Sequence, residues 1–185
     1  MLKAIFSSLL LVCAPALLAT AADLDEISNF RVYSPQFASS GQPTAKQLKL
    51  VRDAGYERVI YLAFTNDHTA IDDEDGTVKE LGMDYAHIAV DFGNPMSNDF
   101  YAFAGVMRTG PAQKTLLHCQ VNFRASTFSF LYRTIYEGVD VADAKEDLDS
   151  VWKPNSTWQG FIFDVLEDFD IDPNCDVCDW KAAED

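Results

Sequence analysis

The residues with the clearest capacity for chemistry lie in one short stretch, HCQVNFRAS, at residues 118–126. An apolar run typical of a strand ends at Cys119, and Arg124 opens a segment with a helical pattern. A cysteine between a strand and the first turn of a helix lies near unpaired backbone N–H groups and the positive end of the helix dipole. These groups favour a thiolate and can bind an oxyanion. Arg124 adds a planar, permanently charged group suited to two-point contact with phosphate. The stretch predicts a nucleophile and an anion-binding group in one loop.

The elements that must position this loop alternate between strands and helices. Apolar runs rich in β-branched and aromatic residues predict strands at 29–34, 58–64, 85–90 and 115–119. Helical patterns lie at 45–55, 78–81, 98–108, 124–138, 141–152 and 156–169. SSGQPT is assigned to a turn before the first helix, which Thr44 and Gln47 would cap. This alternation predicts an α/β fold with a central, mostly parallel sheet flanked by helices. Ligands bind at the carboxyl ends of strands in such sheets, and Cys119 lies at such an end.

The two ends of the chain differ in composition from the segment between them. Residues 1–22 combine Lys3, an apolar run and small residues before the boundary, the pattern of a secretory signal peptide. No later apolar run approaches the length of a membrane span. We therefore expect an exported protein, periplasmic or secreted and not inserted in a membrane after signal removal. One domain would span 23–172, followed by an acidic tail with a Cys-x-x-Cys motif at 173–185.

The charge and the cysteine content of the chain limit the kinds of partner that it can bind and the compartment in which its cysteines would pair. The formal net charge is -15 and no cluster of Lys and Arg occurs, which argues against nucleic acid or an anionic membrane surface as a partner. Of the four cysteines, Cys13 lies in the signal segment. In an oxidising compartment Cys175 and Cys178 are predicted to form a small local disulfide, which leaves Cys119 free.

The loop and the segments before it resemble the cysteine-dependent protein tyrosine phosphatases. The likeness is to the small bacterial beta-lactamase-hydrolase-associated type and, more distantly, to dual-specificity phosphatases. It is carried by HCQVNFRAS, preceded in order by SGQPT, AGYERVIYL, HIAVDFGNP and LLHC, and it covers residues 27–137. It implies a cysteine-phosphatase-like fold. It also implies hydrolysis of a phosphorylated small molecule or phosphoprotein through a phosphocysteine, with no metal and no cofactor.

The resemblance also implies a role for each matching residue. Cys119 would attack phosphorus, and Arg124 would hold the phosphate oxygens. The intervening residues would form the rest of the phosphate-binding loop: Gln120, Val121, Asn122 and Phe123.

The supporting residues follow from the same resemblance. Asp91, in VDFGNP and 28 residues before the cysteine, would protonate the leaving oxygen and later activate water. His118 would orient the loop and lower the pKa of the cysteine, and Ser126 would help the thiolate to leave. Asp84 and Asp99 are weaker candidates for the acid.

The loop is one residue shorter than the phosphatase pattern, so two other functions are considered beside the phosphatase. Four residues separate Cys119 from Arg124, where the phosphatase pattern has five, and QVNF contains no glycine. Asn122 is the residue there that tolerates a left-handed backbone. A six-residue loop beginning with cysteine is also similar to that of rhodanese-type sulfurtransferases, which would use a Cys119 persulfide. A third interpretation is a catalytically silent relative that binds an anion or a protein partner. The surrounding segments, and the role they give to Asp91, favour the phosphatase.

Several remaining features receive structural interpretations. His68 and the acidic residues 72–75 are assigned to a solvated loop rather than to a metal site. Residues 168–172 carry the alternating acids of a calcium loop, but Pro173 stands where that loop needs glycine. Gln42 is assigned to a plain turn rather than to the site. The aromatic residues of the last two helices are assigned to the core, with a partner surface as the alternative.

Overall fold

A mixed sheet of five strands forms the centre of the part that the computed structural model describes, residues 24–181. The predicted signal peptide lies outside the described residues. The sheet order is β1-β2-β5-β3-β4, and only the pairing of β1 with β2 is antiparallel among these strands. This confirms the predicted α/β fold with a mostly parallel sheet. The strands are β1 (Arg31–Ser34), β2 (Phe37–Ser40), β3 (Arg58–Tyr61), β4 (Asp84–His87) and β5 (Thr115–His118).

Strand β2 was missed by the sequence analysis. Its sequence is FASS, and all four residues are buried. Serine and alanine lack the branched or aromatic side chains that mark a strand, so the segment carries no local strand signal. The strand runs parallel to β5, with Ser40 opposite His118. Because the two strands end together, the residues that follow β2 reach the loop that follows β5.

Six helices flank the sheet in the described region. Thr44 caps the first of them through the predicted capping box with Gln47. The second begins earlier than predicted, because the Asp73 side chain accepts a hydrogen bond from the Gly76 N–H and starts the helix there. The helices are α1 (Ala45–Asp53), α2 (Glu74–Glu80), α3 (Ser97–Thr109), α4 (Phe123–Tyr136), α5 (Val141–Asp149) and α6 (Ser156–Glu167).

Two apolar clusters pack on the opposite faces of the sheet. Successive residues of a strand point to opposite faces, so Leu116 joins one cluster and Leu117 the other. Helices α1 and α2 cover the first face, and α3 to α6 cover the second. Trp158 and Phe161 of α6 are buried in the larger cluster, which agrees with the assignment of the late aromatic residues to the core. Within residues 24–181, no helix is both long and apolar enough to cross a membrane.

The acidic tail packs back onto the helices. The Trp180 ring lies edge-on to Phe130 of α4 and Phe163 of α6, with centroid distances of 5.9 and 5.1 Å. The sulfur atoms of Cys175 and Cys178 lie 2.03 Å apart. This placement is compatible with the local disulfide, which stays a prediction.

Candidate active site

The loop after β5, the central strand, places the predicted nucleophile at the carboxyl end of the sheet. β5 ends at His118, Cys119 follows it, and α4 begins at Phe123. Cys119 is fully buried and is the one free cysteine of residues 24–181. Asn122 has φ 74°, in the left-handed region. An asparagine can therefore make this turn where a glycine would be usual, as the sequence analysis anticipated.

A pair of asparagines fixes the loop from one side. The Asn29 side-chain amide donates a 2.9 Å hydrogen bond to the Val121 carbonyl oxygen. The Asn122 amide donates a 2.6 Å hydrogen bond to the Asn29 carbonyl oxygen. Asn29 lies before β1, far from the loop in sequence, and no sequence pattern pointed to it. Together the two bonds hold the middle of the loop against the N-terminal segment.

The residues after β2 fix the first part of the loop. The Gln42 N–H donates a 2.9 Å hydrogen bond to the Gln120 carbonyl oxygen. A β-carbon at Gly41 would lie only 2.8 Å from that oxygen and 2.9 Å from the Ser28 β-carbon. The two backbones approach so closely that glycine is required at Gly41. The hydrogen bond places Gln42 against the start of the loop, a contact that its assignment to a plain turn did not include.

The first turn of α4 faces the cysteine with open N–H groups. The side chain of the N-cap residue Asn122 makes no capping hydrogen bond to the helix. Its NH2 group donates to the Asn29 carbonyl oxygen, and its Oδ1, the atom that could cap the helix, has no hydrogen-bond partner among the described residues. The first N–H groups of a helix have no partner within it, so these remain available to an anion. The Ser126 hydroxyl donates a 3.2 Å hydrogen bond to the Phe123 carbonyl oxygen. Its predicted role in helping the thiolate leave stays a prediction.

Arg124 links the loop to the segment that carries the predicted acid. The side chain is 4 % exposed, and its Nε donates a 3.1 Å hydrogen bond to the Val90 carbonyl oxygen. One Nη donates a 3.2 Å bond to Gln120 Oε1, and the guanidinium lies 5.2 Å from the centre of the Phe92 ring. Within the described part of the chain the other Nη makes no hydrogen bond. The guanidinium is therefore fixed in place and keeps a donor for an anion.

Asp91 follows the residue that holds the arginine. Its side chain is exposed, and Oδ1 accepts a 2.8 Å hydrogen bond from the Gly93 N–H. The two weaker candidates for the general acid, Asp84 and Asp99, lie elsewhere in the fold. Asp84 opens β4, at the end of the sheet opposite Cys119. Asp99 lies in the first turn of α3, where its carboxylate accepts a 3.1 Å bond from the Met96 N–H.

A buried carboxylate that the sequence analysis missed lies against His118. Glu74 Oε1 is 2.7 Å from His118 Nε2, and the two side chains are 5 % and 0 % exposed. The two groups make a close electrostatic contact whose angles are not those of a hydrogen bond. Glu74 had been assigned to a solvated loop with its acidic neighbours. The available signal was helical spacing, because Glu74 lies four residues before the fully buried Val78.

Aromatic rings extend from His118 across the carboxyl edge of the sheet. Tyr61 and His87 end β3 and β4 and lie in register with His118. The Tyr61 ring stacks on both imidazoles, with centroid distances of 4.8 Å to His118 and 5.2 Å to His87. Burial raises the pKa of Tyr61 well above its usual value; the Glu74 and Asp67 carboxylates add to the effect. The phenol therefore keeps its proton at neutral pH.

A cleft of about 480 Å³ opens beside this row of rings. Tyr61, Glu74 and His87 line it, but neither Cys119 nor Arg124 does. Residues 24–181 contain no group of three or more His, Cys, Asp or Glu side chains placed to hold a metal ion.

Several solved structures are similar to this chain in fold. One is a DUF442 protein of Shewanella putrefaciens CN-32, described as a candidate phosphatase. It is 31% identical, with 81% of this chain and 99% of that chain covered and a TM-score of 0.73. This chain belongs to the DUF442 family.

More distant structures extend the likeness of this DUF442 chain. Tk-PTP in its active form is 14% identical over 75% of this chain and 97% of that chain, with a TM-score of 0.65. TpbA of P. aeruginosa is 16% identical over 73% and 83%, with a TM-score of 0.58. They show that the DUF442 chain has the cysteine-phosphatase fold that the sequence resemblance implied. The sequence matches no protein-family model and no curated protein.

Proposed function

We propose that this DUF442 protein hydrolyses phosphomonoesters, including phosphoproteins, through a phosphocysteine formed on Cys119. The observation that carries the proposal is the position of Cys119 before the uncapped start of α4, with Arg124 fixed in the first turn. The cysteine-phosphatase fold supports it, as does the description of the Shewanella relative. TpbA, which shares the fold, has been crystallised in complex with pTyr.

The reaction uses two displacements at phosphorus. The Cys119 thiolate forms an S–P bond as the ester P–O bond breaks, and Asp91 gives its proton to the leaving oxygen. Water then attacks the phosphocysteine while Asp91 takes a proton from it. The P–S bond breaks, inorganic phosphate leaves, and the thiolate is restored. Arg124 and the N–H groups of α4 bind the phosphoryl oxygens, on which negative charge is concentrated throughout.

The experiment that tests the function is hydrolysis of p-nitrophenyl phosphate by the chain from residue 23 under reducing conditions. We expect turnover that is lost when Cys119 is alkylated with iodoacetamide and that is unaffected by metal chelation. A folded, reduced protein without turnover would contradict the proposal.

A sulfurtransferase is the second candidate, and the four-residue spacing between Cys119 and Arg124 is the observation that favours it. In that reaction the Cys119 thiolate takes the outer sulfur of thiosulfate and releases sulfite. The persulfide then gives this sulfur to cyanide and forms thiocyanate. Thiocyanate production without phosphate release would select this alternative. Stabilisation by phosphate with neither activity would select the silent anion-binding relative.

Replacement of Arg124 by lysine is expected to lower kcat/KM for p-nitrophenyl phosphate by roughly a hundredfold, because lysine cannot bind an anion at two points. Lysine also cannot donate to the Val90 carbonyl while facing the loop, as the Arg124 Nε does. Steady-state kinetics measure the effect. Arg31→Lys, which changes an arginine on β1, is the matched control and should keep wild-type kinetics. Wild-type kinetics in Arg124→Lys would remove the arginine from the anion site.

Replacement of Asp91 by asparagine is expected to lower kcat by roughly a hundredfold for an alkyl phosphate, whose leaving oxygen needs a proton. The loss should be smaller for p-nitrophenyl phosphate, since its leaving group is stable as an anion. Comparison of kcat for the two substrates measures the effect. Asp99→Asn is the control carboxylate and should affect both substrates little. Equal losses on both substrates in Asp91→Asn would contradict the acid role.

We also propose that residues 1–22 direct export and are then removed, which would place the activity in the periplasm or outside the cell. Mass spectrometry of the protein recovered from the exporting cell tests this proposal. A chain that retains residue 1 would contradict it.

A further inference from the structure

We propose that Glu74 is a positioning residue that holds His118 as an imidazolium behind the Cys119 thiolate. The inference deepens the proposed function, because it concerns the charge state of the nucleophile on which that function depends. It assigns a role to a carboxylate on α2 that belongs to none of the matching phosphatase segments.

The first observation is the burial of two ionisable side chains in contact. Glu74 is 6 % exposed and His118 is 0 % exposed, and Oε1 of the first lies 2.7 Å from Nε2 of the second. A buried carboxylate or a buried imidazolium is costly when it stands alone, because it has lost its hydration. Side by side, the two charges compensate each other. In the proposed charged pair each charge has its partner at 2.7 Å, so neither is buried alone.

The second observation is that the Glu74 carboxylate is fixed to the same loop at its other oxygen. Gln42 Nε2 donates a 3.0 Å hydrogen bond to Glu74 Oε2. The backbone N–H of Gln42 in turn donates to the carbonyl oxygen of Gln120, the residue after the cysteine. Glu74 thus reaches the loop by two routes, one through His118 and one through Gln42. A carboxylate held in this way positions the imidazole rather than merely neutralising it.

The order of the charges determines their effect on the thiol. Nε2 is at the end of the imidazole ring away from the backbone, so Glu74 lies beyond the ring as seen from the chain that continues into Cys119. His118 and Cys119 are adjacent residues whose side chains leave the chain on opposite faces of the sheet, as Leu116 and Leu117 do. The imidazole belongs to the residue next to the cysteine and Glu74 lies beyond the imidazole, so the field of an imidazolium there would favour the thiolate. With Glu74→Gln, a fully buried imidazole has no partner charge and loses its proton, so this field disappears.

Other ionisable groups near the site do not have the effect on Cys119 ionisation that is proposed for the Glu74–His118 pair. Tyr61 of β3 stacks on His118 but stays neutral, since burial raises its pKa. Arg124 of α4 keeps its charge at every working pH. Asp67, in the loop after β3, is half-buried; its carboxylate acts on Tyr61 and lies 3.3 Å from the exposed His68 imidazole. A change in Cys119 ionisation on replacing Glu74 therefore reports on the Glu74–His118 pair.

The experiment is a pH titration of the Cys119 thiolate by its ultraviolet absorbance. The same titration of Cys119→Ser is subtracted, which removes the tyrosine signal. In Glu74→Gln we expect the thiolate fraction near the wild-type midpoint to fall by up to about tenfold, with the whole curve displaced to higher pH. Asp75→Asn makes the same charge change on the same helix, at a carboxylate that pairs with Lys79. It should leave the curve unchanged.

A second substitution separates positioning from a structural effect. With His118→Gln in place, adding Glu74→Gln should produce no further displacement of the curve. An independent, additive displacement would overturn the inference, as would a wild-type curve for a folded Glu74→Gln protein. Should Glu74→Gln fail to fold, His118→Gln alone is expected to give the same displacement, and an unchanged curve there would equally overturn it.

The titration needs no substrate, so it separates the two proposals. A displaced curve in a protein without p-nitrophenyl phosphate turnover supports the role of Glu74 and rejects the phosphatase. Turnover together with an unchanged curve rejects the role of Glu74 alone.

Discussion

Cys119→Ser is expected to reduce the hydrolysis of p-nitrophenyl phosphate by more than about a thousandfold while the protein stays folded. A serine hydroxyl keeps its proton at neutral pH and is a far weaker nucleophile than a thiolate. The change removes the nucleophile and leaves Arg124 and the N–H groups of α4 in place. The variant should therefore still bind inorganic phosphate. Initial rates measure the first effect, and thermal stabilisation by phosphate measures the second.

The double variant Cys175→Ser and Cys178→Ser is the matched control for this prediction. It changes the same atom at two positions in the tail, remote in sequence from the loop, and should keep wild-type turnover under reducing conditions. Turnover that persists in Cys119→Ser, or is lost in the tail variant, would place the nucleophile elsewhere.

Trp158→Ala is expected to lower the free energy of unfolding by about 3–5 kcal/mol, the usual cost of removing a large aromatic side chain from a core. Trp158 is fully buried in α6, and its ring packs edge-on against Phe161 with a centroid distance of 5.4 Å. Its Nε1 also donates a 2.9 Å hydrogen bond to the Phe92 carbonyl oxygen. The substitution leaves both a cavity and an unpaired carbonyl next to Asp91. Denaturant unfolding followed by circular dichroism measures the loss.

Two further variants separate packing from the hydrogen bond. Trp158→Phe keeps a ring and removes the donor, so it should cost less stability than Trp158→Ala. Trp180→Ala truncates a half-buried tryptophan of the tail and should also cost less. A Trp158→Ala protein as stable as the wild type would mean that α6 does not hold the Asp91 segment to the core.

Elements with strong local patterns could be predicted from the sequence. The run RVIYLAF predicted β3, and TLLHC predicted β5, because branched and aromatic side chains suit buried strands. Strand β2 could not be predicted, since FASS contains no such run and its strand conformation depends on pairing with both β1 and β5. Helix α2 was cut short because its first turn consists of acids that look solvated.

The residues of the candidate site also fall into two groups: those that a local sequence pattern identifies and those that it does not. Cys119, Arg124 and the left-handed Asn122 lie within a few residues of one another, so local spacing was enough to single them out. Asn29 and Glu74 act on this loop from distant parts of the chain. Their residue types are ordinary for exposed loops and helix starts. Only the completed sheet brings them to the loop, so no local pattern could identify them.

The hydrogen bonds that hold the loop between β5 and α4 have a consequence for when the candidate site forms. Its contacts come from Asn29, from Gln42 and from Val90, which belong to three separate segments. An unfolded chain has none of these contacts. Under the proposed function, the loop therefore acquires its anion-binding geometry only when the sheet has assembled. If the chain is exported as proposed, the site would form only after the chain folds at its destination.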